Sequence, residues 1–234
     1  MPVLLQACLN GARSAHEHPA LPLTAGRLAA DARACVRAGA GAIHLHPRDG
    51  DGRESLRSGV VDPVVAHVRH ACGVPVGVAT GAWVEPDPER RAALVAEWRE
   101  PDYASVNLSE PGAIEVMRAL PVGIEAGVWS PEDAELLAAS GIPVTRVLIE
   151  IIGGPAETAV ARAQEIERVL DAAGNDAPRL VHGEEEACWP VLRHALATGR
   201  DTRIGLEDTL VLPDGTQAAG NAELVRVARE LAAG

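Results

Sequence analysis

The sequence predicts a (β/α)8 barrel, because short apolar runs alternate along the chain with longer segments of helical period. Eight runs have strand character and eight segments have helical character. Over 234 residues this leaves roughly 29 residues for each strand–helix unit, close to the minimum for such a barrel. Hydrophobic residues make up 47% of the chain, which is enough for a large core. We therefore expect one barrel domain over residues 1–234.

The predicted elements follow one another without a linker or a low-complexity tract. Strands are expected at 3–9, 42–46, 75–79, 103–107, 123–127, 145–149, 179–182 and 202–206. Helices are expected near 25–38, 60–71, 87–99, 111–119, 131–140, 156–173, 187–198 and 220–232. Ser130 and Pro131 have the pattern of an N-cap followed by proline at the first helical position. Five predicted helices end at a glycine suited to a left-handed C-cap: Gly39, Gly73, Gly141, Gly174 and Gly199.

A doubly wound open sheet is the alternative fold for this alternating pattern. Such sheets commonly carry a glycine-rich turn after the first strand, and this chain has none there. The barrel is therefore the preferred prediction.

Composition and charge exclude several classes of function. A net charge of −12 argues against nucleic acid as a partner. Every basic side chain other than histidine is arginine, so a lysine Schiff base and a P-loop lysine are both excluded. No stretch has the apolar length of a membrane span, and the first ten residues predict a strand rather than a signal peptide. We expect a cytoplasmic protein, with a metal as the electron sink if it breaks carbon–carbon bonds.

Polar residues end nearly every predicted strand, which is where the active sites of such barrels lie. These residues are Asn10, His44, His46, Thr80, Asn107, Glu125, Glu150, His182, Glu207 and Asp208. Each of them can bind a metal, accept a proton or form a hydrogen bond. A barrel with a purely structural role would not need such a set.

His44 and His46 lie two residues apart on the second strand, so their side chains face the same way. They could supply adjacent positions in the coordination sphere of a metal, although two histidines with a structural role remain an alternative. Glu207 ends the eighth strand, which adjoins the first in a closed barrel, and is the candidate third ligand. Asp208 would then remain free as a base. The alternative for this acidic pair is a helix cap in a loop.

Motifs spread over nearly the whole chain resemble those of the β-keto acid cleavage enzyme family, which includes the 3-keto-5-aminohexanoate cleavage enzymes. The most specific motifs are the block from His44 to Asp49 and the Gly-x-Glu-Asp segment that ends at Asp208. Supporting matches are Gly11-Ala12, Leu21-Pro22-Leu23-Thr24, Ala38-Gly39-Ala40, Thr80-Gly81, Ala104-Ser105-Val106-Asn107 and Asn221-Ala222-Glu223-Leu224-Val225.

The resemblance implies a zinc-dependent (β/α)8 enzyme that converts a β-keto acid and acetyl-CoA into acetoacetate and a new acyl-CoA. In that scheme His44, His46 and Glu207 hold the metal. Asp208, oriented by Arg203, takes a proton from the carbon between the ketone and the carboxylate. Contacts with the substrate are expected from Asn10, Arg13, Thr80, Ser105 and Asn107. Family members are usually homo-oligomers, so we expect one here.

Two positions depart from the family pattern. Arg13 stands where the family has a glutamate, and Ala79 stands where a serine commonly precedes the Thr-Gly pair. The first difference changes the charge beside the reaction centre, and the second removes a hydroxyl group. Two alternatives follow from the residues: another metal-dependent aldolase, lyase or hydrolase, or a barrel that binds a metal without catalysis.

Overall fold

The computed structural model describes residues 3–233, in which eight strands alternate with eight helices. The strands are β1 (Leu5–Cys8), β2 (Ala42–Leu45), β3 (Val76–Ala79), β4 (Tyr103–Asn107), β5 (Gly123–Val128), β6 (Arg146–Ile151), β7 (Arg179–Gly183) and β8 (Thr202–Ile204). The helices are α1 (Ala25–Arg37), α2 (Ser58–Cys72), α3 (Pro88–Val95), α4 (Ala113–Ala119), α5 (Pro131–Ser140), α6 (Ala156–Ala172), α7 (Cys188–Ala197) and α8 (Asn221–Ala233). A short 3-10 turn at Glu185–Ala187 precedes α7. Among residues 3–233, none of the helices is long and apolar enough to cross a membrane.

All eight strands are parallel and form one sheet in the order β7-β6-β5-β4-β3-β2-β1-β8. The sheet closes between β7 and β8, where Leu180 forms a parallel bridge with Asp201. At this seam the Val181 N–H donates to the Asp201 carbonyl at 2.9 Å. The predicted (β/α)8 barrel is therefore confirmed, and the doubly wound alternative is excluded.

Most predicted boundaries agree with the structure within a few residues, and the capping signals hold. The Ser130 hydroxyl accepts a hydrogen bond from the Asp133 N–H at 3.1 Å, and the five glycines all have a positive φ. Helix α3 ends at Val95 instead of reaching residue 99, because Trp98 turns inward. Its buried indole N–H donates to the Leu56 carbonyl at 2.7 Å.

A polar cluster occupies the interior of the barrel, below the strand ends. The Gln6 side-chain amide donates to Tyr103 and to Glu125, both at 3.0 Å, and Arg146 pairs with Glu125 at 3.0 Å. The tyrosine ring fills the space left by Gly77, where a Cβ would lie 1.9 Å from the ring. Glu125 was expected at a strand end, and this was wrong. It lies mid-strand in β5 and is fully buried, because β5 extends to Val128.

The raised pKa of Asp31 on α1 should make the free energy of unfolding depend on pH. Burial, opposed by a hydrogen bond from Asn221 and by the charge of Arg27, raises the pKa of Asp31 from 3.8 to about 6. The folded protein thus binds this proton more tightly than the unfolded chain. The stabilisation that the protonated Asp31 gives the folded state is complete below about pH 4 and is lost as the pH rises through 6.

Asp31→Asn should remove this dependence, because the amide oxygen still accepts from Asn221 and carries no charge. Urea unfolding at pH 5 and pH 8 should show the variant gaining stability over wild type at the higher pH. The upper bound on this gain is about 3 kcal/mol. Asp176→Asn, at an exposed position, is the control. Equal effects of Asp31→Asn at both pH values would contradict the prediction.

Candidate metal centre and substrate cavity

The turn after β8 brings two consecutive carboxylates toward the barrel. The strand ends at Ile204 because Gly205 packs against β1, where a Cβ would lie only 1.8 Å from the Cys8 carbonyl oxygen. The chain then turns, and the Asp208 N–H donates back to the Gly205 carbonyl at 2.9 Å. This turn removes the strand alternation, so Glu207 and Asp208 can both contact Arg203.

His44, His46 and Glu207 converge at the carboxyl ends of β2 and β8. Oε1 of Glu207 lies 3.6 Å from Nε2 of His44 and 3.6 Å from Nε2 of His46. One donor atom from each of the three side chains lies within 4.8 Å of the others. The structure therefore brings together the three ligands expected from the sequence.

A second carboxylate, Glu54, orients His46, and sequence reasoning missed it. Its Oε2 lies 2.8 Å from Nδ1 of His46 and accepts the indole N–H of Trp83 at 3.1 Å. The Trp83 ring stacks on the His46 imidazole at 5.9 Å between centroids and 17° between planes. The sequence feature that could have indicated this contact is the turn from Asp49 to Arg53. An antiparallel bridge between Arg48 and Glu54 closes this turn and folds the chain back toward His46.

The electrostatics of this cluster favour a cation. Burial, only partly opposed by Glu207, lowers the pKa of His44 to about 3, which keeps its imidazole neutral. Burial also lowers the pKa of His46, but Glu207 and Glu54 outweigh it and raise that pKa to about 9. Burial would raise the pKa of Glu207, yet Arg203 and the two histidines hold it well below its usual range. The two carboxylates that raise the pKa of His46 would also attract a divalent cation bound in place of its second proton.

These residues fit a divalent metal on two further observations. Bonds of about 2.1 Å in a tetrahedral zinc site separate neighbouring donors by about 3.4 Å, close to the 3.6 Å that Glu207 keeps from each imidazole. Oε2 of Glu207 is buried and has no hydrogen-bond partner among the described residues. Glu54 at Nδ1 of His46 adds to this fit, because a carboxylate on the second ring nitrogen is the usual support of a histidine that binds a metal.

Arg203 and Asp208 form a buried ion pair directly beside this cluster. Arg203 donates to Oδ1 of Asp208 at 2.8 Å and to Oε1 of Glu207 at 3.0 Å. Nδ1 of His182 lies 3.6 Å from the same aspartate oxygen. Burial raises the pKa of Asp208, and the charges of Arg203 and His182 oppose it. Asp208 is fully buried and lies behind the cavity wall, which Arg203 and Glu207 form.

A cavity of about 470 Å³ opens over the cluster at the carboxyl ends of the strands. This volume lies within the range of small-molecule sites. Of the five residues expected to contact a substrate, Arg13, Ser105 and Asn107 line it. Asn10 and Thr80 lie behind the wall. Asn10 exchanges two 2.9 Å hydrogen bonds with the His46 backbone, and the Thr80 hydroxyl donates to the Ser105 carbonyl at 2.7 Å.

Arg13 lies at the mouth of the cavity, with its guanidinium held by protein groups. It pairs with Glu17 at 3.1 Å and with Glu185, and its Nε donates to the Glu207 carbonyl at 3.3 Å. Glu185 has a φ of 48°, a left-handed conformation that is uncommon for a residue with a side chain. Arg13 thus ties the loop after β1 to the loop after β7.

The closed barrel and the donors gathered at the carboxyl ends of its strands give the site arrangement typical of (β/α)8 enzymes. The chain belongs to the β-keto acid cleavage enzyme family. The profile of that family matches residues 2–128 and 112–234, which together span nearly the entire sequence. The resemblance read from the sequence motifs is therefore confirmed.

One curated protein and several solved structures are similar to this chain. The chain is 24% identical to the 3-keto-5-aminohexanoate cleavage enzyme of Acetoanaerobium sticklandii, over 98% of this chain and 91% of that protein. The structure of ObcA in complex with oxaloacetate has a TM-score of 0.71 and is 18% identical over 91% of this chain. The chain spans 63% of the length of ObcA. A 3-dehydroquinate dehydratase from Geobacillus kaustophilus has a TM-score of 0.64 at 10% identity, and the match covers 99% of this chain and 90% of that one. Both structural similarities are below 25% identity and concern the fold alone.

Proposed function

We propose that this protein is a zinc-dependent β-keto acid cleavage enzyme that uses acetyl-CoA and releases acetoacetate and a new acyl-CoA. The observation that supports this most strongly is the convergence of His44, His46 and Glu207 beside the Arg203–Asp208 pair. Both groups lie at one end of the barrel, next to a cavity large enough for a small acid. Family membership supplies the class of reaction.

The proposed roles follow from the chemistry of a β-keto acid. His44, His46 and Glu207 would hold zinc, which when bound supplies a Lewis acid for the keto acid's oxygens. The carbon between the ketone and the carboxylate carries an acidic proton, so a carboxylate is a sufficient base. Asp208 is the proposed base, and its Oδ2 has no hydrogen-bond partner within residues 3–233. Asp208 does not line the cavity, so this role requires a local rearrangement when the substrate binds.

The remaining predicted contacts divide into direct and supporting ones. Ser105 and Asn107 line the cavity and are proposed to hydrogen-bond the substrate carboxylate. Thr80 and Asn10 are proposed to position the Ser105 and His46 backbones through the hydrogen bonds described above. Arg13 is proposed to close the cavity mouth by joining the loops after β1 and β7.

Acetyl-CoA is proposed as the co-substrate. One ObcA structure contains a C4-CoA adduct together with oxalate, and its barrel has a TM-score of 0.70 to this chain. The curated relative cleaves a β-keto acid, as its name states. The two relatives therefore support the pairing of an oxo acid with a CoA thioester.

A panel of β-keto acids, each supplied with acetyl-CoA, tests the proposal when acetoacetate is measured with the zinc-loaded protein. At least one acid should give acetoacetate only when acetyl-CoA is present. Cleavage of an acid without acetyl-CoA would indicate a metal-dependent lyase instead. If no acid is converted although zinc is bound, the proposed reaction is wrong, and a metal-binding barrel without catalysis remains.

Glu54→Gln should lower zinc affinity about 10- to 100-fold, because Glu54 holds Nδ1 of His46 and turns Nε2 toward the site. Competition with a chromogenic chelator measures this directly. Glu89→Gln, at an exposed position in the first turn of α3, is the matched control and should bind zinc like wild type. Unchanged affinity in Glu54→Gln would show that Glu54 does not support the site.

A further inference from the structure

A second cavity lies at the end of the barrel opposite the metal ligands. Its volume is about 500 Å³, similar to that of the cavity over the histidines. Val3, which precedes β1, forms one side, and the last turns of α7 and α8 form the rest. Two arginines line it, Arg193 and Arg229, together with apolar side chains that include Leu196 and Leu231. This end holds the amino ends of the strands, so the cavity is separate from the proposed active site.

Arg229 on α8 is held in place by the surrounding chain. Its Nε donates to the Gly39 carbonyl at 2.9 Å, and its Nη1 donates to the Val3 carbonyl at 3.1 Å. Gly39 leaves room for the side chain, because a Cβ there would lie 2.8 Å from Cγ of Arg229. The third nitrogen, Nη2, makes no hydrogen bond within residues 3–233. The guanidinium is therefore fixed, with one nitrogen still able to donate to a ligand.

Neither Arg193 nor Arg229 has a carboxylate within ion-pair distance in the described part of the chain. The protein has 33 acidic residues against 21 basic ones, so counter-charges are plentiful elsewhere. Arg226, three residues earlier on α8, pairs with both Glu223 and Glu230. Burial lowers the pKa of Arg229, as expected for a charge that is partly removed from water without compensation. An anion in the cavity would supply that compensation.

The apolar part of the wall restricts which anion fits. Leu231 is 36% exposed, and it lines the cavity together with Leu196 and Val3. An alkyl chain would remove these side chains from water, whereas an inorganic anion would leave them exposed. No aromatic side chain is among the described residues of this wall, so a flat ring would find no stacking partner. The lining fits an aliphatic carboxylate, which an arginine can bind through two parallel N–H groups.

We propose that this cavity is a binding site for an aliphatic monocarboxylate. The carboxylate lies between Arg193 and Arg229, and the alkyl chain lies against Leu196 and Leu231. The site depends neither on the metal nor on the reaction proposed above, because none of these residues takes part in either.

Isothermal titration calorimetry of the zinc-loaded protein with hexanoate tests the site. Hexanamide, the neutral counterpart, should bind about tenfold or more weakly, because it lacks the charge that strengthens hydrogen bonds from arginine. Butanoate should also bind more weakly than hexanoate, by about threefold for each CH2 group removed from the chain. Inorganic phosphate at the same concentration should not displace hexanoate, because it has no alkyl chain.

Two variants assign the binding to this cavity. Arg193→Gln should weaken hexanoate binding about tenfold, and its exposed position makes a folding defect unexpected. Arg229→Gln should weaken it at least as much, and thermal unfolding checks that this variant is folded. Arg226→Gln is the matched control, because Arg226 is exposed on the same helix and does not line the cavity. His46→Ala should bind hexanoate like wild type, which separates this cavity from the metal centre.

The absence of saturable hexanoate binding by wild type would overturn the site. Loss of all hexanoate binding in His46→Ala would place the ligand at the metal centre and would overturn it as well. Hexanamide or phosphate binding as tightly as hexanoate would contradict the proposed ligand chemistry. Wild-type affinity in both Arg193→Gln and Arg229→Gln would exclude the two arginines. Acetoacetate formation enters none of these measurements, so the proposed reaction and this site can fail separately.

Discussion

Asp208→Asn is expected to lower kcat about 10²- to 10⁴-fold while the protein keeps its metal, because an amide cannot take a proton from the keto acid. The exchange conserves the shape of the side chain. Its oxygen can still accept the hydrogen bond that Arg203 donates to Oδ1 at 2.8 Å. Turnover is measured on the best acid of the substrate panel, and zinc is measured by elemental mass spectrometry on the same sample.

Asp201→Asn is a suitable control for the loss of an aspartate charge near β8. Asp201 accepts the Leu4 N–H at 2.8 Å at the opposite end of the strand, far from the cavity. Both variants should be compared by thermal unfolding, since Asp208 is fully buried. Wild-type turnover in a folded, zinc-containing Asp208→Asn protein would show that another group is the base.

His46→Ala is expected to remove zinc from a protein that otherwise holds about one ion per chain, because a three-ligand site loses one of its donors. Activity should fall to background with it. Elemental mass spectrometry after dialysis gives the metal content. His67→Ala on the exposed face of α2 is the control and should leave the content unchanged.

A metal-free wild type that also fails to bind added zinc would remove the Lewis acid from the proposed reaction. Zinc retained by His46→Ala at wild-type affinity would instead show that the ion binds elsewhere. The two outcomes are separable, since the first concerns wild type and the second concerns the variant.

The elements of the fold could be predicted because their signals are local. Apolar periodicity locates strands and helices, and caps such as Ser130 mark their ends. The shared orientation of His44 and His46 could also be predicted, since residues at positions i and i+2 of a strand face the same side. Glu207 could be placed beside them once the barrel was assumed, because β8 adjoins β1 in a closed sheet.

The features that sequence reasoning missed depend on contacts between distant segments or on the depth of a strand. Arg13 meets Glu185 across 172 positions, and no local pattern indicates that pairing. Glu54 reaches His46 only because the intervening turn folds back. Glu125 was misplaced because the alternation of a strand shows which way a side chain faces but not how deep it lies.

Gly77 and Tyr103 in the barrel interior depend on each other for space. Tyr103 occupies the volume that any side chain at position 77 would need, and its hydroxyl donates to the Ile43 carbonyl. Any side chain at position 77 would therefore clash with the ring, whereas loss of the ring at position 103 would leave a void that a larger residue at 77 could fill. We therefore expect a side chain larger than hydrogen at position 77 only in relatives that lack the aromatic ring at position 103.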